Sequence, residues 1–323
     1  MKKYIILFLV FAVILVAAYV GDLRGTSKTQ FVLNTISSIS VKGNEEEAVN
    51  KAFDRVREIE EHMSSFSKNS DLSTKTLHQD TAFVIEKGIG FGKISKGGFD
   101  ITIKPICSLW NISGDNPRVP DEKEIENALK NVDYRKVVIV DNKLRLPQNM
   151  AIELGGIAKG YAADEACRIL KEHGIDDGFV DLGGNVVAMG KKTVGIRNPL
   201  SENDGDYFGT VNLTDCAVAT SGGYERYFEQ DGVKYHHIFD TSTGYPAKTD
   251  VLSATVICDT AIDADCWSTI LFSSGIDKAE QYIEEYKIKA IIVDTNNFVH
   301  IYGNVDFVMK DETGLTLFSK NSN

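Results

Sequence analysis

The apolar positions of the chain predict helices and strands without a regular alternation of the two. An apolar stripe at helical spacing, with charged residues opposite, covers residues 49–63. Asp121 and Glu124 form a capping box for a second helix, and a third follows the glycine turn at 155–156 and stops at Gly174. Two further helices are expected, one over 265–272 and one from Asp277 with Glu280 completing its capping box.

Alternating apolar residues predict strands between these helices. Residues 35–41 alternate with period two, residues 137–146 fit a hairpin, and 64–77 is polar and fits a loop. The other expected strands are 179–182, 209–213, 235–239, 253–258 and 290–293, with a last hairpin turn at Asn296-Asn297. Hairpins mixed with helices indicate an α+β fold: one large mixed domain with antiparallel hairpins and flanking helices.

The N-terminus has the pattern of a targeting segment. Lys2 and Lys3 precede an apolar run over 4–19, which fits a signal peptide or an uncleaved membrane anchor within residues 1–25. A buried first helix is the alternative. The flanking lysines predict that the remaining domain, residues 26–323, lies on the extracytoplasmic face of the membrane.

Composition narrows the classes of ligand and partner. The net charge of −11 argues against a general nucleic-acid binder, and a polyanionic ligand would need a metal ion or a group of backbone N–H donors. The five cysteines lack CxxC spacing and do not form a disulfide framework, although one disulfide is left open.

Two polar clusters carry candidate chemistry. The turn at 153–160 precedes a helix and carries Lys159, which suits phosphate, although a plain strand-to-helix turn explains the same glycines. Asp265, Ser268 and Thr269 have the i, i+3, i+4 spacing of one helix face, and oxygen ligands of this kind suit a hard cation such as Mg²⁺. The alternative is that Asp265 caps the helix.

A third cluster joins small residues, Ser221 and Gly222 among them, to a histidine pair. His236 and His237 are adjacent, so in a strand they point to opposite faces and at most one normally faces a site. Asp240, in the following turn, could hold the productive imidazole. Residues 95–110 either form an aromatic-lined loop near a planar ligand or place Phe99 and Trp110 in the core.

These motifs, taken in order, resemble the ApbE family of FAD:protein FMN transferases. The resemblance covers the chain after its N-terminal segment. Its marks are Gly97-Gly98-Phe99-Asp100, the 154–164 segment, Asp181-Leu182-Gly183-Gly184-Asn185, Thr220-Ser221-Gly222, Tyr224-Glu225-Arg226, the 237–246 segment and Asp265 with Ser268-Thr269.

The resemblance implies an ApbE/T-fold-like structure and an enzyme that transfers FMN from FAD to a Thr or Ser hydroxyl of an acceptor protein, with AMP leaving. The acceptor would be a membrane redox-pump subunit or another extracytoplasmic flavoprotein. Mg²⁺, with Mn²⁺ as an alternative, would be held by Gly156, Asp265, Ser268 and Thr269. The residues expected to contact FAD are Leu33, Phe66, Gly98, Phe99, Asp100, Glu153, Lys159, Ser221, Gly222, His237 and Ile238.

Some positions depart from the family pattern, and two other functions remain open. Glu153 replaces the usual Asp, Thr241 replaces a common Pro, and the lipoprotein cysteine is missing. We expect His237 to act as the catalytic base, with Asp240 orienting it. The alternatives are a metal-dependent FAD pyrophosphatase, in which water replaces the acceptor hydroxyl, and a non-catalytic extracytoplasmic flavin-binding protein.

Overall fold

A nine-stranded sheet runs through the computed structural model, which describes residues 25–203 and 205–318. The strands are β1 (Gly25–Val32), β2 (Thr35–Lys42), β3 (Val138–Val140), β4 (Lys143–Arg145), β5 (Gly178–Leu182), β6 (Asn185–Met189), β7 (Lys191–Arg197), β8 (Tyr207–Thr214), β9 (Ala217–Gly222), β10 (Tyr227–Gln230), β11 (Val233–His236), β12 (Val251–Cys258), β13 (Lys289–Asp294), β14 (Phe298–Tyr302), β15 (Phe307–Met309) and β16 (Thr316–Leu317). The helices are α1 (Glu46–Met63), α2 (Asp71–Thr74), α3 (Gln79–Ile94), α4 (Lys104–Trp110), α5 (Glu122–Leu129), α6 (Ala158–Glu172), α7 (Ala261–Ser274) and α8 (Ile276–Tyr286), with a 3₁₀ turn at Tyr134–Lys136.

The strand order of the main sheet is β1-β2-β5-β6-β9-β12-β13-β14-β16. All of its neighbours are antiparallel except the short β14–β16 pair. A second sheet has the order β15-β8-β7, and β3-β4 and β10-β11 are separate hairpins. The α+β prediction is therefore confirmed.

Both faces of the main sheet are covered. Helices α1, α6, α7 and α8 pack on one face and enclose the larger core. The three-stranded sheet covers the other face, where Phe208 and Val299 lie in a second core. Because the central strands are covered twice, β6 is buried at every position and shows no alternation in its sequence.

Most predicted elements are confirmed, including the α1 stripe, the hairpin of β3 and β4 and the capping box of α5. The capping box expected at Asp277 and Glu280 is wrong. Helix α8 has Gly275 as its N-cap, and the Asp250 carboxylate accepts the Ile276 N–H from a distant turn instead. The polar 64–77 segment contains the short helix α2, and the strand expected over 235–239 ends at His236.

Residues 104–110 form α4 rather than an aromatic-lined loop. Trp110 is fully buried, its Nε1 donates to the carbonyl of Gly244 at 2.8 Å, and its ring contacts Phe239. The core alternative for Trp110 is therefore the correct one.

The predicted N-terminal anchor falls on residues 1–24, which lie outside the described part of the chain. Within residues 25–203 and 205–318, no helix combines the length and the apolarity needed to cross a bilayer. All five cysteines are free, so the structure contains no disulfide among them.

Candidate active site

Helices α6 and α7 touch at Gly160. A side chain there would place a Cβ only 2.4 Å from the carbonyl oxygen of Ala261, so only glycine lets the two backbones come this close. Asp164 of α6 fixes the same crossing, because its carboxylate accepts the N–H groups of Ala261 and Ile262 at 2.8 and 3.0 Å and so caps α7. Burial raises the pKa of Asp164 to about 6.

This crossing joins Lys159 of α6 to Asp265 of α7. The Asp265 carboxylate is 5% exposed and accepts the Gly160 N–H at 3.1 Å. The Lys159 Nζ lies 3.3 and 3.4 Å from its two oxygens, which is longer than a close charge-assisted hydrogen bond. With its amide nitrogen turned toward Asp265, Asn185 donates to Oδ1 at 3.3 Å and accepts from Lys159 Nζ at 3.2 Å. A buried carboxylate and an ammonium therefore share one small polar site.

Asp265 is not the cap of α7. The N-cap is Thr260, whose hydroxyl oxygen accepts the Asp263 N–H, and Asp265 lies one turn further into the helix. The capping alternative for Asp265 is therefore wrong.

The hydroxyls predicted to share a face with Asp265 do so. Ser268 Oγ and Thr269 Oγ1 donate to the Asp265 carbonyl at 3.0 and 3.2 Å. Ser221, at the end of β9, lies 2.9 Å from Ser268 Oγ and 3.3 Å from Thr269 Oγ1. Gly222 follows it in the strand, paired with Ser253 of β12. Strand β9 and helix α7 thus place their hydroxyl groups next to one another, beside Asp265.

The donor set around Asp265 fits a hard cation. It consists of a carboxylate and neighbouring hydroxyl oxygens, the ligand chemistry that Mg²⁺ takes together with water and phosphate oxygens. Gly156 borders this set, since a Cβ at that position would lie 3.8 Å from Thr269 Oγ1 and 3.3 Å from Phe99 Cε2. The absence of a side chain leaves the Gly156 backbone open toward Thr269.

His237 presents a neutral ring with one free nitrogen. Its backbone N–H and its Nδ1 both lie within hydrogen-bond distance of the Arg226 carbonyl, at 3.1 and 3.2 Å. A carbonyl only accepts, so Nδ1 carries the proton and Nε2 keeps its lone pair. Burial lowers the pKa of His237, the charges of Arg226 and Lys159 lower it as well, and together these effects bring it to about 3. The imidazole is therefore neutral near pH 7.

His236 is structural. Its Nε2 donates to the Ala247 carbonyl at 3.1 Å, its Nδ1 accepts the Ile238 N–H at 3.3 Å, and its ring packs edge-on against Phe272. The expectation that only one of the two histidines faces a site fits this arrangement. Ile238 is 7% exposed, and its carbonyl accepts from the Ala247 N–H, so packing and backbone pairing occupy this expected FAD contact.

The carboxylate of Asp240 is hydrogen-bonded within its own turn. Its carboxylate accepts the N–H and hydroxyl of Ser242 at 2.8 and 2.6 Å, and its carbonyl accepts the Gly244 N–H at 2.8 Å. An aspartate at the start of a turn readily bonds the backbone two residues ahead. His237 is oriented by the Arg226 carbonyl, and Asp240 shapes the turn that follows.

Asp100 also has a structural position. Its carboxylate accepts from the N–H and hydroxyl of Thr102 and from the Tyr134 N–H, at 2.6 to 2.9 Å. Burial raises its pKa above the ordinary range. These bonds hold the loop that carries Gly98 and Phe99 rather than leaving the carboxylate free for a ligand.

The same loop is tied to the His237 segment. Thr241, which stands where the family commonly has proline, donates its hydroxyl to the Gly97 carbonyl at 2.5 Å. The Gly98 N–H donates to the Ser95 carbonyl, and Phe99 packs against Phe91 beside Gly156. The Thr241 departure thus replaces a rigid residue with a cross-loop hydrogen bond.

Glu153 is linked through Lys104 to the exposed ring of Phe66. Its carboxylate accepts from Ser65 Oγ at 2.9 Å and from Lys104 Nζ at 3.0 Å. Lys104 Nζ also lies 3.9 Å from the ring centroid of Phe66, which is 84% exposed. Leu33 is at the β1–β2 turn with a φ of +53°. An exposed ring backed by a cation is suited to stacking with a planar ligand.

Sequence reasoning gave no site role to Asn185, Arg226 or Lys104. Asn185 had a usable signal: it is a polar residue that opens a strand buried along its whole length, directly after two glycines. Arg226 was only one of the marks of the family resemblance, and Lys104 had no signal, because their roles depend on a backbone carbonyl and on a long-range contact.

Comparison with known proteins gives a consistent result. The sequence model of the ApbE family matches residues 33–292. An FAD:protein FMN transferase of Treponema pallidum is 32% identical over 299 residues, covering 81% of this chain and 82% of that protein. The crystal structure of the ApbE protein of Thermotoga maritima superposes with a TM-score of 0.78 at 30% identity, covering 89% of this chain and 97% of that one.

A more distant structure, the flavin transferase ApbE of Vibrio cholerae, has the same fold with a TM-score of 0.75 at 21% identity, covering 90% of this chain and 99% of that one. The family match covers most of the chain, and the crossing of α6 and α7 brings two of the motifs, the 154–164 segment and Asp265, together. On these grounds, the chain belongs to the ApbE family.

Proposed function

We propose that this protein is an enzyme that transfers FMN from FAD to a Thr or Ser hydroxyl of an acceptor protein and releases AMP. Its relatives are FAD:protein FMN transferases. The single observation that carries the proposal is the convergence of Lys159, Asp265 and the Thr269 hydroxyl, which come from two helices far apart in sequence. A dinucleotide with a pyrophosphate needs positive charge at this point, and the chain as a whole is acidic.

The cation proposed for this site is Mg²⁺, and Mn²⁺ suits the same oxygen donors. Asp265, Thr269, Ser268 and the Gly156 carbonyl would hold it. When bound, the cation offsets negative charge on the pyrophosphate oxygens as charge develops there. Lys159 contributes a second positive charge from the chain itself.

His237 supplies the base in this proposal. The acceptor oxygen attacks the phosphorus of the FMN half and forms the new phosphoester bond. The bond from that phosphorus to the oxygen bridging to AMP breaks, and AMP leaves with the electron pair. The hydroxyl proton passes to His237 Nε2, the ring nitrogen that has its lone pair. A bound pyrophosphate raises the pKa of His237, because nearby negative charge favours the imidazolium.

The flavin and adenine contacts belong to the proposal as well. Phe66 offers an exposed ring, Leu33 lies at the β1–β2 turn, and Phe99 borders Gly156. Glu153 supports the Phe66 segment through Lys104 and Ser65, and we assign it a positioning role for the nucleotide.

The test is incubation of the full chain with FAD, Mg²⁺ and a candidate acceptor, followed by intact-mass analysis of the acceptor. The expected result is a mass increase of one FMN with one AMP released per label. Release of free FMN and AMP with an unlabelled acceptor would instead establish a pyrophosphatase. FAD that stays intact would establish a binding protein.

We also propose that the enzyme works on the extracytoplasmic face of the membrane and acts on a subunit of a membrane redox pump. Lys2 and Lys3 before the apolar run of 4–19 support this location. A protease added to intact spheroplasts should digest the catalytic domain, whereas protection from digestion would contradict the proposal.

A further inference from the structure

A second cluster of metal-ligating side chains lies near the ends of the 64–70 loop. His62 is in the last turn of α1, Asp71 is the first residue of α2, and His78 is the N-cap of α3. One ligand atom from each of the three lies within 4.8 Å of the other two. None of these residues takes part in the Asp265 site.

Asp71 and His78 lie close to the spacing of two metal ligands. His78 Nδ1 lies 2.9 Å from Asp71 Oδ1, and the His78 backbone N–H donates to Asp71 Oδ2 at 2.7 Å. Two atoms bound to one tetrahedral metal at about 2.1 Å lie about 3.4 Å apart, so a shift of about half an ångström brings this pair to ligand spacing. A cation can therefore replace the proton that these two atoms now share.

His62 supplies the third ligand. Its ring stacks on that of His78, with 3.7 Å between centroids and 3° between planes. Its Nδ1 is buried and has no hydrogen-bond partner among the described residues. An unpaired buried nitrogen destabilises the fold, and a bound cation would remove this cost.

Access and local charge also favour a cation. The His78 side chain is 60% exposed, so an ion can enter from solvent, whereas Asp71 is buried and fixed. His62 lies at the C-terminal end of α1, where the helix dipole favours positive charge.

We propose that His62, Asp71 and His78 bind a divalent transition metal of the Zn²⁺ type, with water as a fourth ligand. Two imidazole nitrogens and one carboxylate oxygen suit Zn²⁺, whereas the all-oxygen set around Asp265 suits Mg²⁺. The His62 ring must rotate out of the stack so that its nitrogen meets the ion held by His78 and Asp71. Two different cations then serve two different parts of the molecule.

The site has a consequence for the 64–70 loop. This loop connects His62 to Asp71 and carries Ser65 and Phe66, which contact Glu153 and Lys104. A metal that joins the two ends of the loop restricts its motion and holds the exposed Phe66 ring in place. This consequence for ligand binding rests on the proposed function, whereas metal binding itself does not.

The experiment measures Zn²⁺ binding by competition with a chromophoric chelator, on full-length protein freed of any polyhistidine tag and with Mg²⁺ in large excess. The wild type should bind one Zn²⁺ per chain at this site. His62→Gln and His78→Gln should each lower the affinity at least tenfold, as loss of a ligand requires. Co²⁺ in place of Zn²⁺ should give the wild type an absorption band in the visible range. The double variant, which carries both His62→Gln and His78→Gln, should lack this band.

Two control variants distinguish Zn²⁺ binding at this site from Zn²⁺ binding elsewhere on the protein. His173→Gln removes an exposed histidine whose Nδ1 contacts the Ile169 carbonyl, and Asp265→Asn alters the proposed Mg²⁺ site. Both should keep the wild-type Zn²⁺ affinity. Zn²⁺ should raise the Tm of the wild type but not that of the double variant. The His78 side chain is exposed, so His78→Gln should fold normally. Equal Zn²⁺ affinity in this variant and in the wild type would overturn the proposal. The absence of a stoichiometric Zn²⁺ site in the wild type would overturn it as well.

Discussion

His237 combines a fixed tautomer with a low proton affinity, and both properties come from its immediate surroundings. The Arg226 carbonyl holds the proton on Nδ1, and burial with two nearby positive charges lowers the pKa to about 3. The ring can therefore accept a proton in the reaction without being charged beforehand. Its neighbour His236 has both nitrogens occupied and cannot replace it.

His237→Ala should lower the rate of FMN transfer by about 10²- to 10⁴-fold, the usual contribution of a general base. FAD affinity should change little, because the proposed pyrophosphate contacts lie on Lys159 and the cation. Single-turnover labelling of the acceptor, with FAD binding followed by flavin fluorescence, measures the two separately. Near-normal transfer in this variant would refute the base role.

Asp181 should make stability depend on pH. Burial, together with the nearby Glu225 carboxylate, raises its pKa from 3.8 to about 7. From about pH 4 to pH 7 the folded chain keeps a proton that the unfolded chain releases, so the free energy of unfolding falls as pH rises through this window. The loss should be on the order of 1–4 kcal/mol at about 1.4 kcal/mol per pKa unit.

Asp181→Asn should remove most of this dependence, because the amide oxygen can still accept the Gly184 N–H that Asp181 accepts at 2.9 Å. Urea unfolding at pH 5 and pH 8 measures the effect. The variant should gain stability relative to the wild type at pH 8 and little at pH 5. A parallel pH dependence in the two proteins would contradict the assignment.

At the scale of elements, the site depends on how closely α6 approaches α7. Gly160 sets this distance, and Asp164 of α6 caps α7 across the same contact. Lys159 and Asp265 lie beside Gly160, so any separation of the two helices acts directly on the proposed cation site.

Gly160→Ala should destabilise the fold by about 1–3 kcal/mol, the cost of overpacking, because its Cβ would meet the Ala261 backbone at 2.4 Å. FMN transfer should fall as well, since Lys159 and Asp265 move apart. Gly90→Ala in α3 is the matched control. A Cβ there meets nothing within 4 Å, and alanine should stabilise the helix by about 0.5–1 kcal/mol. Thermal unfolding of both variants gives the comparison, and equal Tm values would contradict the packing argument.

At the scale of the whole molecule, the net charge of −11 opposes the binding of an anionic dinucleotide. Lys159 provides one positive charge beside a buried carboxylate, so the proposed cation must supply most of the remaining positive charge. The binding of FAD and of the divalent ion should therefore be coupled.

Removing divalent ions with a chelator should weaken FAD binding by at least tenfold, and low ionic strength should increase this effect because screening of the acidic surface is reduced. Titration of flavin fluorescence with and without chelator, at two salt concentrations, measures the coupling. Asp265→Asn should show a smaller response to chelation. An FAD affinity that is independent of divalent ions would contradict the coupling.

The sequence determined the local elements and the grouping of motifs, because these depend on short-range periodicity and capping. The α1 stripe, the α5 capping box and the shared face of Asp265, Ser268 and Thr269 all follow from spacing along one helix. The α8 cap was mispredicted, because a distant aspartate decided it.

Only the tertiary structure decided how these parts meet. Contacts between elements bring Lys159 next to Asp265 and place the Arg226 carbonyl beside the His237 ring. They also group His62, Asp71 and His78. Spacing along a chain fixes which face of a helix a residue occupies. Close packing of backbone against backbone, as at Gly160, fixes which faces come together.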